Sequence, residues 1–295
     1  MEDQAPALPP LVVIVGETAS GKSALAMELA RRFNGEIICA DSWTVRREVT
    51  IGTAKPNETE QAEIPHHLLD VVGPDDDFTA AVFKRLAKDA ISDIASRGKL
   101  PIMVGGTGLY IDGVIYDYGF LPGGDRDARK QWNDMTAEAL VEKVKEQGIN
   151  TEGIDTHNKR RLIRLLETGG QRPTKALLRH QTIILGLDVD RTVLKERIIE
   201  RVIKMMQLGL EQEVRALSTK YGWDCEALKG IGYREWHDYF DGKQTIDETR
   251  AKIIKSTLDL AKRQRTWFKR NSSIQQVSDL SSSVEIVTTF LNKKQ

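Results

Sequence analysis

Leu11-Val12-Val13-Ile14-Val15 runs directly into Gly16-Glu17-Thr18-Ala19-Ser20-Gly21-Lys22-Ser23, and this junction decides the fold. The first five residues are apolar and mostly β-branched, as in a parallel strand buried on both faces. The next eight fit G-x-x-x-x-G-K-[ST], and apolar residues at helical spacing follow across Ser23–Phe33. In such a strand–loop–helix junction Gly16 and Gly21 permit backbone conformations that strain other residues. The amides of Thr18, Ala19, Ser20, Gly21, Lys22 and Ser23 can then line one phosphate-binding concavity, reinforced by the positive end of the helix. Lys22 adds a point charge, and the Ser23 hydroxyl is a ligand for Mg²⁺. A Gly-rich turn without a ligand is the bland alternative, and it does not explain why strand and helix both flank the loop.

Working outward, Glu36–Ala40, Leu68–Val72, Pro101–Val104 and Thr182–Val189 read as further strands, with a helix over Thr79–Ser96. The alternation predicts an α/β protein with a P-loop NTPase-like three-layer core and a largely parallel sheet. Gly119–Gly124 is turn-rich, and Asp127–Gln147 is charged and helical with no strand inside it. This predicts a small helical insertion at 113–155, a catalytic core of 11–112 and 156–295 with a helical C-terminal part, and a flexible lead-in at 1–10. The Ser-rich stretch Ser278–Ser283 reads as a loop before a last short element.

Composition narrows the function. The 295 residues are 40% hydrophobic and 29% charged, with 43 basic and 43 acidic side chains. That balance excludes disorder and indiscriminate polycation binding, while leaving room for local basic patches. Cys39 and Cys225 are too few for a disulfide framework or a four-thiolate zinc site, so a reducing cytoplasm is expected. No apolar run approaches the ~20 residues of a membrane span.

A phosphate cradle does not name a reaction. The strand Pro101–Val104 leads into Gly105-Gly106-Thr107 without an acid, whereas Glu36–Ala40 ends at Asp41. Ligands of open α/β sheets sit beyond the carboxyl ends of strands. Asp41 is therefore a candidate metal ligand or general base, with a turn or helix-cap role as the alternative. Arg197 and Arg201 lie four apart on one helix and share a face, which is either a diphosphate contact or a solvated face with Glu196 and Glu200. Lys159, Arg160, Arg161 and Arg164 form one basic cluster. Lys262, Arg263, Arg265, Lys269 and Arg270 surround Trp267 and Phe268 in another, a mixture suited to nucleic-acid backbone and base.

Nine segments together carry a resemblance. They are GETASGKS at 16–23, ADS at 40–42, IGTAKP at 51–56, HHLLD at 66–70, VGGTGLYI at 104–111, RRLIRLLE at 160–167, GL-x-x-EV at 209–214, GIGYRE at 230–235 and AKRQRTWF at 261–268. In this order they resemble the tRNA dimethylallyltransferases (tRNA isopentenyltransferases) of bacterial type. The resemblance implies transfer of a dimethylallyl group from dimethylallyl diphosphate to the N6 amine of an adenine beside a tRNA anticodon, with Mg²⁺ as cofactor. It implies Asp41 as base, Thr18 beside the reacting carbon, and Arg197, with Arg201, on the diphosphate. It places Ser42, Trp43, Thr44, Thr107, Arg129, Arg160, Arg161, Arg164, Gly232, Tyr233, Arg234, Lys262, Arg263, Gln264 and Arg265 at the tRNA anticodon stem-loop. A monomer off the membrane is expected. His66 and His67 have no metal-ligand spacing to a Cys and read as structural.

The sequence departs from the family at Glu17, where Pro is usual, and at Thr44 and Arg46, where Gln and Tyr are usual. The insertion is short, and Leu258-Asp259 replace polar or basic residues. Prenylation of free adenine nucleotides, a small-molecule P-loop kinase and an inactive RNA-binding module are the competing readings. The basic C-terminal helix and the insertion favour tRNA over a free nucleotide.

Overall fold

The computed structural model describes residues 8–293, so most of the expected 1–10 lead-in lies outside the described residues. The chain runs through β1 (Leu11–Gly16), α1 (Lys22–Phe33), β2 (Gly35–Ala40), α2 (Glu58–Glu63), β3 (His66–His67) and α3 (Ala80–Ser96). It continues through β4 (Leu100–Gly105), α4 (Gly108–Ile115), α5 (Arg126–Asp134), α6 (Ala137–Glu146), α7 (Lys159–Glu167) and β5 (Thr182–Leu187). The last elements are α8 (Arg191–Gln207), α9 (Leu210–Tyr221), α10 (His237–Phe240), α11 (Ile246–Phe268), β6 (Ile274–Val277) and α12 (Leu280–Asn292).

The sheet is parallel throughout, in the order β3-β2-β4-β1-β5-β6. Alternate residues of its strands point to opposite faces. Val12 and Ile14, Ile37 and Cys39, Ile102 and Val104, and Ile183 and Leu185 pack with Leu25 and Leu29 of α1 and Val287 of α12. On the other face α3 packs on β2 and β4, and α11 on β1. The sheet is thus covered on both sides, which explains why β1 contains no polar residue. The chain divides into two compact units, 1–115 with 178–295, and Tyr116–Leu177.

Several elements differ from the sequence expectation. Leu68–Val72 is not a strand. Leu68 and Asp70 have positive φ, which breaks an extended run, so pairing to β2 is confined to His66 and His67, while Val72 makes an isolated bridge to Arg46. The edge strand β6 was not expected. Ser281–Ser283 form the first turn of α12, capped by Asp279 Oδ1 accepting from the Ser282 amide at 2.8 Å, because a Ser cluster after an Asp satisfies helix-start amides as readily as it makes a loop. Asp127–Gln147 is broken at Met135-Thr136, where Thr136 Oγ1 accepts from the Ala139 amide and starts a new helix.

The second unit also runs further than 113–155. Leu162, Ile163, Leu165 and Leu166 of α7 bury against Leu140 and Val144 of α6, which removes the basic helix from the sheet core. Glu167, on α7, accepts from both Arg129 and Arg164, and Arg164 Nη2 also donates to Leu121 O at 2.6 Å.

Beneath the sheet, Glu36 is 1% exposed and is met by Arg97 Nη2 at 2.6 Å, Lys99 Nζ at 2.7 Å and His67 Nε2 at 2.7 Å. The Arg97 bond, followed by those of Lys99 and His67, overcomes burial and drives the carboxyl well below the usual range. A depressed carboxylate contributes stability above its unfolded pKa and loses it as pH falls toward the folded value. Glu36→Ala is expected to cost about 2 kcal/mol at pH 7. Urea denaturation at pH 7 and at acid pH checks this, with the difference from wild type shrinking in acid.

Candidate active site

The carboxyl ends of β1, β2 and β4 open into one cavity of about 550 Å³. Thr18, Ala19, Gly21, Lys22 and Ser23 from the phosphate loop, Asp41 and Thr44 after β2, and Gly105 and Gly106 after β4 line it. Thr53, Ala54 and Pro56 contribute from the next loop, Arg197, Glu200, Arg201 and Lys204 from α8, and Gln264 from α11.

The loop has the winding of an anion nest. Gly16, Ala19 and Gly21 have φ of 153°, 63° and 98°, and the left-handed turn at Gly21 leads straight into α1. A Cβ on Gly16 would sit 3.0 Å from Ser20 Oγ and 3.1 Å from Leu187 O, so a side chain there would be crowded as well as conformationally strained. Lys22 Nζ donates to Glu17 O. Burial chiefly, then the charge of Arg201, lower its pKa to about 8 against the opposing pull of Asp41 and Glu17. The buried ammonium is poorly compensated by its protein neighbours, and a bound anion would favour its charged form.

Asp41 caps its own turn. Its Oδ1 accepts from the Trp43 amide at 2.8 Å and the Thr44 amide at 3.3 Å, while among the described residues no hydrogen bond to Oδ2 is found. The turn role and the cavity role therefore coexist: one oxygen fixes the carboxylate and the other remains an acceptor. Ser42 and Thr107 are tied together, the Ser42 amide donating to Thr107 Oγ1 at 3.1 Å. Trp43 packs over Gly230, where a Cβ would meet its ring at 3.1 Å. Thr44 is buried with its Oγ1 unpartnered. Cys39 also lines the cavity, but burial, with Asp41 nearby, pushes its thiol up to about 12, so it is neither base nor nucleophile at neutral pH.

The α8 arginines face the cavity rather than bulk solvent alone. Arg197 Nη1 donates to Ser20 O at 3.4 Å and Arg201 Nη2 to Thr53 O at 3.3 Å. Two cations are thereby aimed at the mouth of the phosphate loop from a separate element.

Other expected contacts sit elsewhere. Tyr233 is 1% exposed, with its hydroxyl donating to Glu213 Oε1 at 2.6 Å, and Gly232 is buried with it. These two build the core, because the ring packs directly on Gly52, where any Cβ would collide with it. Arg234 stays exposed beside Glu235. Gln264 is buried rather than at a surface. Arg265 is paired with Glu17 in a two-point ion pair, Nη2 to Oε2 being 2.8 Å, which turns the Glu17 carboxylate away from the nest. Arg46 is likewise buried and donates to Asp76 O at 2.7 Å and Pro74 O at 3.1 Å, so it braces a loop. Arg129 and Arg164 converge on Glu167 in the second unit, whereas Arg160, Arg161, Lys262 and Arg263 remain exposed.

The sequence reading missed Glu213. Its carboxylate accepts from the amides of Thr50, Ile51 and Gly52 as well as from Tyr233. It thereby shapes the loop that brings Thr53, Ala54 and Pro56 to the cavity. The GL-x-x-EV segment was the available signal, but nothing in the sequence said what its Glu would cap.

The IPP transferase family profile matches residues 44–271. A Geobacillus thermodenitrificans protein named tRNA dimethylallyltransferase is 41% identical over 280 residues, 90% of this chain and 89% of the relative. The Bacillus subtilis protein of that name is 40% identical over the same shares. Among solved structures, the tRNA isopentenylpyrophosphate transferase of Bacillus halodurans is 35% identical with a TM-score of 0.74, covering 97% of this chain and 96% of that one. A eukaryotic dimethylallyltransferase captured acting on tRNA is 26% identical with a TM-score of 0.73, covering 92% and 75%. With a nest at the end of β1, a carboxylate at the end of β2 and relatives matched along nearly the whole chain, this protein belongs to the IPP transferase family.

Proposed function

We propose that the chain is a tRNA dimethylallyltransferase: it prenylates tRNA, taking the dimethylallyl group from dimethylallyl diphosphate and releasing pyrophosphate. The observation that carries this reading is the single cavity in which the phosphate loop, two arginines and Asp41 meet. An exocyclic adenine amine is a weak nucleophile because its lone pair is delocalised into the ring. Its nitrogen attacks the allylic carbon, the C–O bond breaks with its electron pair going to the diphosphate, and the amine proton passes to Asp41. The nest, Lys22, Arg197 and Arg201 stabilise the charge that grows on the leaving oxygen. Thr18 lines the cavity, and we assign it to the reacting carbon and the diphosphate.

Mg²⁺ fits the donor set. Ser23 offers a hard oxygen ligand in the cavity, and Mg²⁺ usually takes one or two protein ligands with the rest from phosphates and water. Among the described residues no cluster of three His, Cys, Asp or Glu could hold a metal ion by itself. When bound, the ion would add further neutralisation of the leaving group.

The exposed Lys262 and Arg263 are assigned to phosphate contacts with the tRNA; Arg160 and Arg161, exposed on the second unit, are assigned to such contacts by themselves. A tRNA substrate places the proposed enzyme in the cytoplasm, and we take it to act as a monomer; separately, among the described residues no helix is long and apolar enough to cross a membrane. The test is mass spectrometry of nucleosides after incubation with dimethylallyl diphosphate, Mg²⁺ and either tRNA or free AMP. A prenyl mass gain on adenosine from tRNA alone is expected. Gain on AMP alone would replace this reading with nucleotide prenylation.

A further inference from the structure

Two neighbouring residues of α11 hold two neighbouring residues of the phosphate loop. Gln264 Oε1 accepts from the Thr18 amide at 2.7 Å, while its Nε2 donates to Gly106 O at 3.1 Å. Arg265 grips the Glu17 carboxylate, which is 9% exposed. Gln264 is itself 8% exposed, and both ends of its amide are used. The Thr18 amide is therefore withdrawn from the nest, and the loop is stapled through one side chain to the turn after β4. Gly106 leaves room for this, since a Cβ there would lie 2.1 Å from Gln264 Nε2.

We propose that Gln264 and Arg265 are positioning residues for the diphosphate site, acting through Thr18 and Glu17, and not RNA contacts. The assignment rests on the reading of the cavity as a diphosphate site. The two Gln264 hydrogen bonds fix the height of Thr18 relative to β4, and the ion pair stops the acidic Glu17 from turning into an anion site. The Ser20 amide is also tied within the loop, donating to Glu17 O at 3.2 Å, so the amides of Ala19, Gly21, Lys22 and Ser23 are the ones to wrap phosphate oxygens. The side chains of Lys262 and Arg263, on the same helix, point to solvent, so α11 joins the loop on one face and meets water on the other.

The test uses the full-length enzyme. Gln264→Leu removes both amide bonds at similar volume. It is expected to weaken Mg²⁺–pyrophosphate binding by calorimetry about tenfold, to leave tRNA affinity and its salt slope within twofold, and to speed hydrogen exchange at the Thr18 amide. The amide measurement needs no ligand, so it reads the staple even if the diphosphate reading itself fails. For the ion pair, Glu17→Arg and Arg265→Glu are each expected to lose pyrophosphate affinity, and the double exchange to recover most of it. A tenfold loss of tRNA affinity with unchanged pyrophosphate binding and unchanged Thr18 exchange would overturn the proposal, as would a charge exchange that recovers nothing while the double variant retains wild-type thermal stability.

Discussion

Asp41→Asn lowers turnover ~10²–10⁴-fold while tRNA and pyrophosphate affinities stay near wild type. The amide keeps the volume of the carboxylate, and its oxygen still accepts from the Trp43 and Thr44 amides, so the turn after β2 survives. What is lost is the acceptor that takes the amine proton as the new C–N bond forms. Single-turnover measurement with prebound tRNA separates this from binding. Turnover within a factor of three of wild type would remove Asp41 as the base.

Lys22→Met is expected to weaken pyrophosphate binding by about 10–100-fold, the range for a charge-assisted hydrogen bond to an anion. The wild-type pH dependence has a worked sign. With its pKa held to about 8, Lys22 is charged in the empty enzyme below that pH and loses its proton above it. Binding above pH 8 must therefore recover a proton, and affinity falls as pH rises. Lys22→Arg stays charged and should lack this alkaline fall, which calorimetry in buffers of differing ionisation enthalpy will detect. Stability moves the other way. A lowered lysine pKa penalises the empty folded state below pH 8, and the penalty is relieved between about 8 and the ordinary value of 10.5. A wild-type alkaline limb identical to that of Lys22→Arg would count against the buried ammonium as the cause.

The sheet core was legible in the sequence where burial was two-sided. β1, β2, β4 and β5 are nearly pure apolar runs, so pattern alone fixed their place to within one or two residues. β6, Ile274-Gln275-Gln276-Val277, is at the sheet edge and buries Val277 fully but leaves both glutamines exposed, too little signal for a strand. The cavity was legible through its glycines and charges: Gly16, Lys22 and Asp41 are where motif and topology put them. Side chains whose role depends on a distant partner were not. Gln264 lies 246 positions from Thr18, and Tyr233 reads as a tRNA contact until Gly52 is known to lie beneath its ring. Basic residues were the least legible, since Arg265, Arg129 and Arg164 find acids within the fold while Arg263 stays exposed, and sequence spacing does not distinguish them. The departures at Glu17 and Arg46 resolve once their partners are seen, Arg265 for the first and the carbonyls of Pro74 and Asp76 for the second.

The central claim is that the nest holds a diphosphate leaving carbon, and not a phosphoryl group in transit. Dimethylallyl diphosphate labelled with ¹⁸O in the bridge between carbon and phosphorus tests it directly. After reaction with tRNA, the label should be found in released pyrophosphate, one per prenylated adenosine. Label retained in a prenyl alcohol, or release of inorganic phosphate in place of pyrophosphate, would contradict the account.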